Sequence, residues 1–97
     1  MKEEILKQPI EVLDLSLRTF NCLKLLGVNT IEDILRCHED KTLFKSKYFS
    51  RKVYKELISK LMSLNLVTED WIDQDVVKAR HYDMDYLLGK KEYWVKK

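Results

Sequence analysis

The sequence predicts an all-α fold, a compact bundle of four to five short helices, and three observations carry that expectation. Apolar residues recur with a 3.6-residue period, most clearly as Tyr54, Leu57, Ile58, Leu61 and Met62. Each apolar run is preceded by a residue suited to cap a helix, in turn Ser16, Thr30, Ser50 and Thr68. The 97 residues, 45% of them hydrophobic, suffice for one core and contain neither an internal repeat nor a low-complexity segment.

Taken in order, residues 1–8 are mostly charged and read as a frayed helix or a flexible linker. Pro9 interrupts any helix there, and Ile10, Val12, Leu13 and Leu15 then suit a short extended strap packed across the helices. The central stretch is LDLSLRTFNCLKLLG, residues 13 to 27. Ser16 caps it and Gly27 suits the left-handed position that ends a helix. Leu17, Phe20, Leu23 and Leu26 form its expected core face, while Arg18, Asn21 and Cys22 share another. Thr30, with Glu32 and Asp33 in the first turn, starts a second amphipathic helix through Ile31, Ile34 and Leu35. A further turn is expected near Glu39 to Phe44, with Leu43 and Phe44 as anchors.

From Lys41 to Lys55 the sequence carries Lys41, Lys45, Lys47, Arg51, Lys52 and Lys55 and no acidic residue. Ser50 caps a long helix here and Asn65 marks its end, so the basic group straddles a loop and a helix N-terminus, where the dipole already favours an anion. Taken alone, the group reads equally as solvated surface. Tyr48 and Phe49 within it are expected to anchor the core rather than stack on bases. Thr68 is expected to cap a next helix with the stripe Trp71, Ile72, Val76 and Ala79, and Lys78 and Arg80 near its end complement the dipole. A last turn is expected near Met84 to Leu88. The division is then 1–8, a flexible segment; 9–67, the helical domain; and 68–97, a helical extension and tail.

The totals narrow the function. Eighteen basic against 16 acidic residues leave +2, so any attraction for a polyanion must be local. Cys22 and Cys37 stand outside any C-x-x-C arrangement and read as reduced thiols. No apolar run reaches the roughly 20 residues of a membrane span, and the start lacks a signal-peptide core, so a cytoplasmic place is expected. His81 and Asp85 stand four apart without a second pair, so no metal is expected. No nucleophile with base and orienting group, and no glycine-rich phosphate loop, marks an enzyme, and no cofactor is expected.

One stretch resembles a known family. PIEVLDLSLRTFNCLKLLGVNTIEDIL, residues 9 to 35, resembles the C-terminal domain of the bacterial RNA polymerase alpha subunit, whose pattern is a Pro, an acidic-Leu strap, S/T-[VL]-R-x-x-N-C-L-K and a hydrophobic-N-T helix. The likeness continues more weakly through residue 67 and ends near Trp71. It implies a helix-hairpin-helix-like element, contact with the minor groove of A/T-rich promoter DNA, and partners among RNA polymerase subunits, sigma factor and transcription regulators. By the same resemblance Arg18 enters the groove, Asn21 and Cys22 stand beside it, and Lys24 lies near the backbone. The family's second motif, N-L-G-K-K-S-L-x-E, falls on Tyr48 to Glu56, which brings Ser50, Arg51, Lys52 and Glu56 into the implied site. Ser50 stands at the family glycine and Val53 at the family serine, so the charged half of that chemistry is kept and the close-approach half altered. The protein is thus similar to a divergent, free-standing relative, or to a fragment of a longer one.

These departures and the small net charge leave a second expectation open, a protein-interaction module that kept the scaffold and lost DNA. Trp71 and Trp94 either pack the tail onto the domain or mark its protein-binding surface. The oligomeric state is not legible.

Overall fold

In the computed structural model, which describes residues 2–90, the protein folds as short helices around one apolar core. Among the described residues there are six α-helices: α1 (Lys2–Leu6), α2 (Leu17–Leu25), α3 (Ile31–Glu39), α4 (Arg51–Ser63), α5 (Gln74–Ala79) and α6 (Met84–Leu87). Single 3-10 turns at Ile10–Leu13, Thr42–Lys45 and Glu69–Trp71 link them. None of these helices is long and apolar enough to cross a membrane.

The strap is a 3-10 turn rather than the expected extended run, so Ile10 and Leu13 point inward while Val12 stays exposed. Its backbone is tied to the α2–α3 connection, where Ile10 N–H donates to Asn29 O and Ile31 N–H to Gln8 O. Residues 2–6 are helical, and Ile5 and Leu6 pack on the core beside α3.

The predicted caps form at three of four positions. Ser16 Oγ accepts from Thr19 N–H and Ser50 Oγ from Val53 N–H, while Thr30 and Asp33 make a reciprocal capping box. At the far end of α2, Gly27 lies at φ +79, with Val28 N–H on Leu23 O and Gly27 N–H on Lys24 O, which meets two of the carbonyls the helix leaves unpaired. Asn65 and His81 hold the same left-handed position after α4 and α5. His81 therefore lies beyond α5, so its spacing to Asp85 never becomes a helix face.

Thr68 is the exception. Its side chain makes no cap bond, the helix expected from it stops after one 3-10 turn, and Asp73 caps α5 instead. Ile72 is the cause: it is buried and extended, and drawing it into the core breaks the helix, which restarts at Gln74. The stripe shifts with it, to Val76 and Val77, and Ala79 is exposed.

An aromatic cluster joins the C-terminal third to the bundle. Trp71 stacks on His38 with ring centroids 3.7 Å apart, and Tyr54 packs between Phe44, Phe49 and Tyr82. The Tyr54 hydroxyl accepts from Asp73 N–H at 2.8 Å and lies 2.8 Å from His38 Nε2, so its own proton is best placed on that nitrogen and His38 is neutral. Burial is the main reason the His38 pKa falls from 6.5 to about 4; Asp73 opposes the fall and Lys41 adds to it. The folded pKa lies below the unfolded one, so this part of the stability is full above pH ~6.5 and is lost as pH falls towards ~4. The thermal midpoint should drop by several degrees across that window, and His38→Phe should flatten the drop in a calorimetric pH series.

Candidate nucleic-acid interface

The candidate site is built where α2 passes the loop that leads into α4. Arg18, Asn21, Cys22 and Leu25 fall at i, i+3, i+4 and i+7 and so share one face of α2. Together with Tyr48 and Ser50 they line a depression of about 410 Å³. Two stretches some thirty residues apart in sequence thus meet at one surface, and Arg51 and Lys52 follow in the first turn of α4, which holds no acidic residue.

The expected contact residues do not all stand alike. Arg18, Asn21, Ser50 and Lys52 are exposed. Cys22 is only 2% exposed and forms the back wall, its thiol pushed up in pKa by burial despite a contact with Ser46 Oγ. It is a packed, protonated thiol rather than a projecting contact. Lys24 turns to the α2–α3 connection, where its Nζ bonds Asn29 Oδ1 at 2.9 Å and lies over the Phe20 ring, and it does not line the depression. Arg51 and Lys55 both lie over the Tyr86 ring of α6, at 5.1 and 5.5 Å from its centroid. Lys41, at the head of the basic stretch, pairs with Asp73.

Glu56 faces inward. Its carboxylate accepts from Ser16 N–H at 2.6 Å, Ser16 Oγ at 2.8 Å and Thr19 Oγ1 at 2.5 Å, which ties the N-terminus of α2 to α4. Burial works to raise its pKa, yet these hydrogen bonds, with Lys60 nearby, outweigh it and hold the carboxyl below the usual range. Glu56 thus links α2, which carries Arg18 and Asn21, to α4, which follows Ser50.

The two departures from the family pattern find a structural account. Ser50 lies at φ −82 and ψ 174, an extended backbone open to any residue, so glycine's conformational freedom is not needed there. Val53 is fully buried, so that position offers packing in place of a surface hydroxyl.

Sequence reasoning missed the outward turn of three residues, two of which line the depression. Leu25 is 73% exposed although it continues the face of Arg18, and Leu17, expected in the core, is equally exposed because Thr19 turns inward to Glu56. Tyr48 is 55% exposed and lines the depression, while its neighbour Phe49 is the core anchor. No local signal separates the pair, because packing against Phe44 and Tyr54 decides which of the two turns inward.

A second hollow of about 560 Å³ is lined by Leu35, His38, Leu66, Val67, Asp70 and Trp71 among others. Trp71 is half-buried there, against His38. Trp94 lies outside the described residues.

Comparison with known proteins gives a consistent result. The family model for the C-terminal domain of the bacterial RNA polymerase alpha subunit matches residues 1–63. The protein is similar to the DNA-directed RNA polymerase subunit alpha of Desulforudis audaxviator, 40% identical over 65 residues, which are 67% of this sequence and 20% of that protein. The subunit alpha of Carboxydothermus hydrogenoformans is 42% identical over 65 residues, again 67% and 20%. That of Salinibacter ruber is 37% identical over 75 residues, 73% of this sequence and 23% of the relative. The match therefore spans about a fifth of the length of these curated relatives. No solved structure matches.

Proposed function

Since this protein belongs to the family of the C-terminal domain of the bacterial RNA polymerase alpha subunit, a non-catalytic part of the polymerase, we propose that it is a transcription-associated contact domain that binds the minor groove of A/T-rich DNA. The observation that carries this reading is the shared depression: Arg18 and Asn21 on α2 and Ser50 at the start of α4 line one hollow, although the two motifs are separate in sequence. In the proposed complex Arg18 enters a narrow groove, whose concentrated negative potential rewards an arginine without full base reading. Asn21 supports it at the groove edge. Lys52 and Arg51 hold phosphates beside the N-terminus of α4, where the helix dipole adds to their charge. Glu56 acts from behind, and Cys22 and Lys24 are not assigned direct contacts. Its working place is then at promoter DNA in the cytoplasm, beside the polymerase.

The test is a fluorescence titration of an A/T-rich and a G/C-rich duplex at two salt concentrations. Few phosphate contacts imply modest affinity, a shallow slope of log K against log salt of about −2 to −3, and tighter binding to the A/T duplex. Equal affinity for both duplexes would overturn the groove reading, and no binding at low salt would remove DNA altogether.

A protein-docking reading is favoured by a separate observation, the half-buried Trp71 in the second hollow, since tryptophan is enriched where partners bind. The partners it would serve are polymerase subunits, a sigma factor or a regulator. Loss of DNA binding with retention of polymerase binding in a pull-down would support it as the main function.

A further inference from the structure

The family match stops at residue 63, yet α5 and α6 reach back onto the candidate interface. Arg80, at the end of α5, donates through its guanidinium to Phe44 O at 2.7 Å and Phe49 O at 3.2 Å. The same group bonds Tyr82 Oη at 3.2 Å and lies over the Phe44 ring, 5.9 Å from its centroid. These two carbonyls bracket residues 45–48 and end one residue before Ser50. The fork of one side chain therefore spans the loop that carries Tyr48 and delivers the N-terminus of α4. Tyr86 of α6 makes a second contact with the same region, under Arg51 and Lys55.

Within the loop itself, order is thin. Tyr48 N–H donates to Ser46 Oγ, Phe49 N–H to Ser46 O and Ser50 N–H to Tyr48 O, all over two or three residues. Such local bonds do not fix where the loop stands relative to α2, and the contact of Ser46 Oγ with Cys22 Sγ across to that helix, at 3.9 Å, is a weak one. Phe49, buried below it, fixes one point and Arg80 holds the carbonyl on either side. The two carbonyls are met by the two terminal nitrogens of one planar guanidinium, whereas the three N–H groups of a lysine radiate from a single nitrogen.

We propose that Arg80 is a positioning residue for the DNA-facing loop, so that the segment after the family match is a brace on the interface rather than an appendage. It rests on the DNA reading above only for its consequence in binding; the ordering of the loop stands without it.

The test uses the 97-residue protein with Arg80→Ala, Arg80→Lys and, as a control for general destabilisation, Val77→Ala. Amide hydrogen exchange is read at Tyr48, Phe49 and Ser50 and, for reference, at Leu23 and Leu57. Both Arg80 variants should lose about tenfold or more in protection at the loop amides relative to the reference amides, whereas Val77→Ala should shift loop and reference alike. In the duplex titration Arg80→Ala and Arg80→Lys should each weaken A/T binding about three- to fivefold, with the salt slope unchanged. A slope lower by about 1 in Arg80→Ala would make Arg80 a direct phosphate contact and overturn the positioning role. Unchanged loop protection would overturn it as well, and so would altered protection with unaltered affinity in a wild-type protein that binds DNA. If the wild-type protein binds no duplex, the DNA reading fails, and the exchange data alone decide whether Arg80 orders the loop.

Discussion

Arg18→Ala is expected to weaken binding to an A/T-rich duplex by about tenfold to a hundredfold while moving the thermal midpoint by no more than about 2 °C. Arg18 is exposed on α2, outside the buried set of Thr19, Cys22 and Leu23, so its removal leaves no cavity and no orphaned core group. The loss in affinity has two parts. One cation fewer releases one counterion fewer, so the salt slope should fall by about 1. The remainder is the loss of a group inside the groove, and it should be larger for the A/T duplex than for the G/C duplex, because a narrow groove focuses the potential that Arg18 meets. Arg18→Lys keeps the charge and loses the fork, and should fall between wild type and alanine. An alanine variant that binds as wild type would remove Arg18 from the interface and with it the groove reading, whatever the behaviour of Lys52.

Where the sequence was legible, the reason was local chemistry. Ser16, Thr30 and Ser50 cap helices with their own hydroxyls, and Gly27 and Asn65 end them in the left-handed conformation, within a few residues of where each signal stands. Thr68 carries the same signal and fails, because burial of Ile72 overrides a local preference worth about 1 kcal/mol. The register of α2 was off on its core side for a similar reason: Thr19, a polar residue, is buried because Glu56 receives its hydroxyl, and Leu17 is exposed in turn.

At the site, the motifs named Arg18, Asn21 and Ser50 but not the depression that joins them, since that depends on how α2 and α4 pack. Lys41 and Arg80 were legible as charges and no more. Their partners, Asp73 for the first and the carbonyls of Phe44 and Phe49 for the second, lie more than thirty residues away. No periodicity reports a contact of that range.

Glu56 gives the second large effect, and it separates holding the site from touching DNA. Glu56→Ala is expected to cost about 3 kcal/mol in stability, because it strips a charged acceptor from three donors and leaves the hydroxyl of the buried Thr19 without its strongest partner. Glu56→Gln keeps the shape and one carbonyl oxygen but turns an NH2 towards a donor, so about half of that loss should remain. The folded pKa of Glu56 is lowered, so its contribution is complete above the ordinary glutamate value of about 4.3 and disappears as pH falls through the folded value. Denaturant unfolding at neutral and at acid pH should therefore show the wild type and Glu56→Gln converging as the carboxylate is protonated. Binding should fall too, by about tenfold, although Glu56 carries the wrong charge for a phosphate and is engaged by Ser16 and Thr19. Arg18 stands two residues past Ser16, so the N-terminus of α2 that Glu56 holds is the part of the helix that aims it. The salt slope tells the two roles apart, since a displaced arginine still releases its counterion and the slope should stay near the wild-type value. An unchanged affinity in a Glu56→Gln variant that has lost stability would show that α2 keeps its place on core packing alone, through Cys22 and Leu23, and that the carboxylate serves the fold and not the interface.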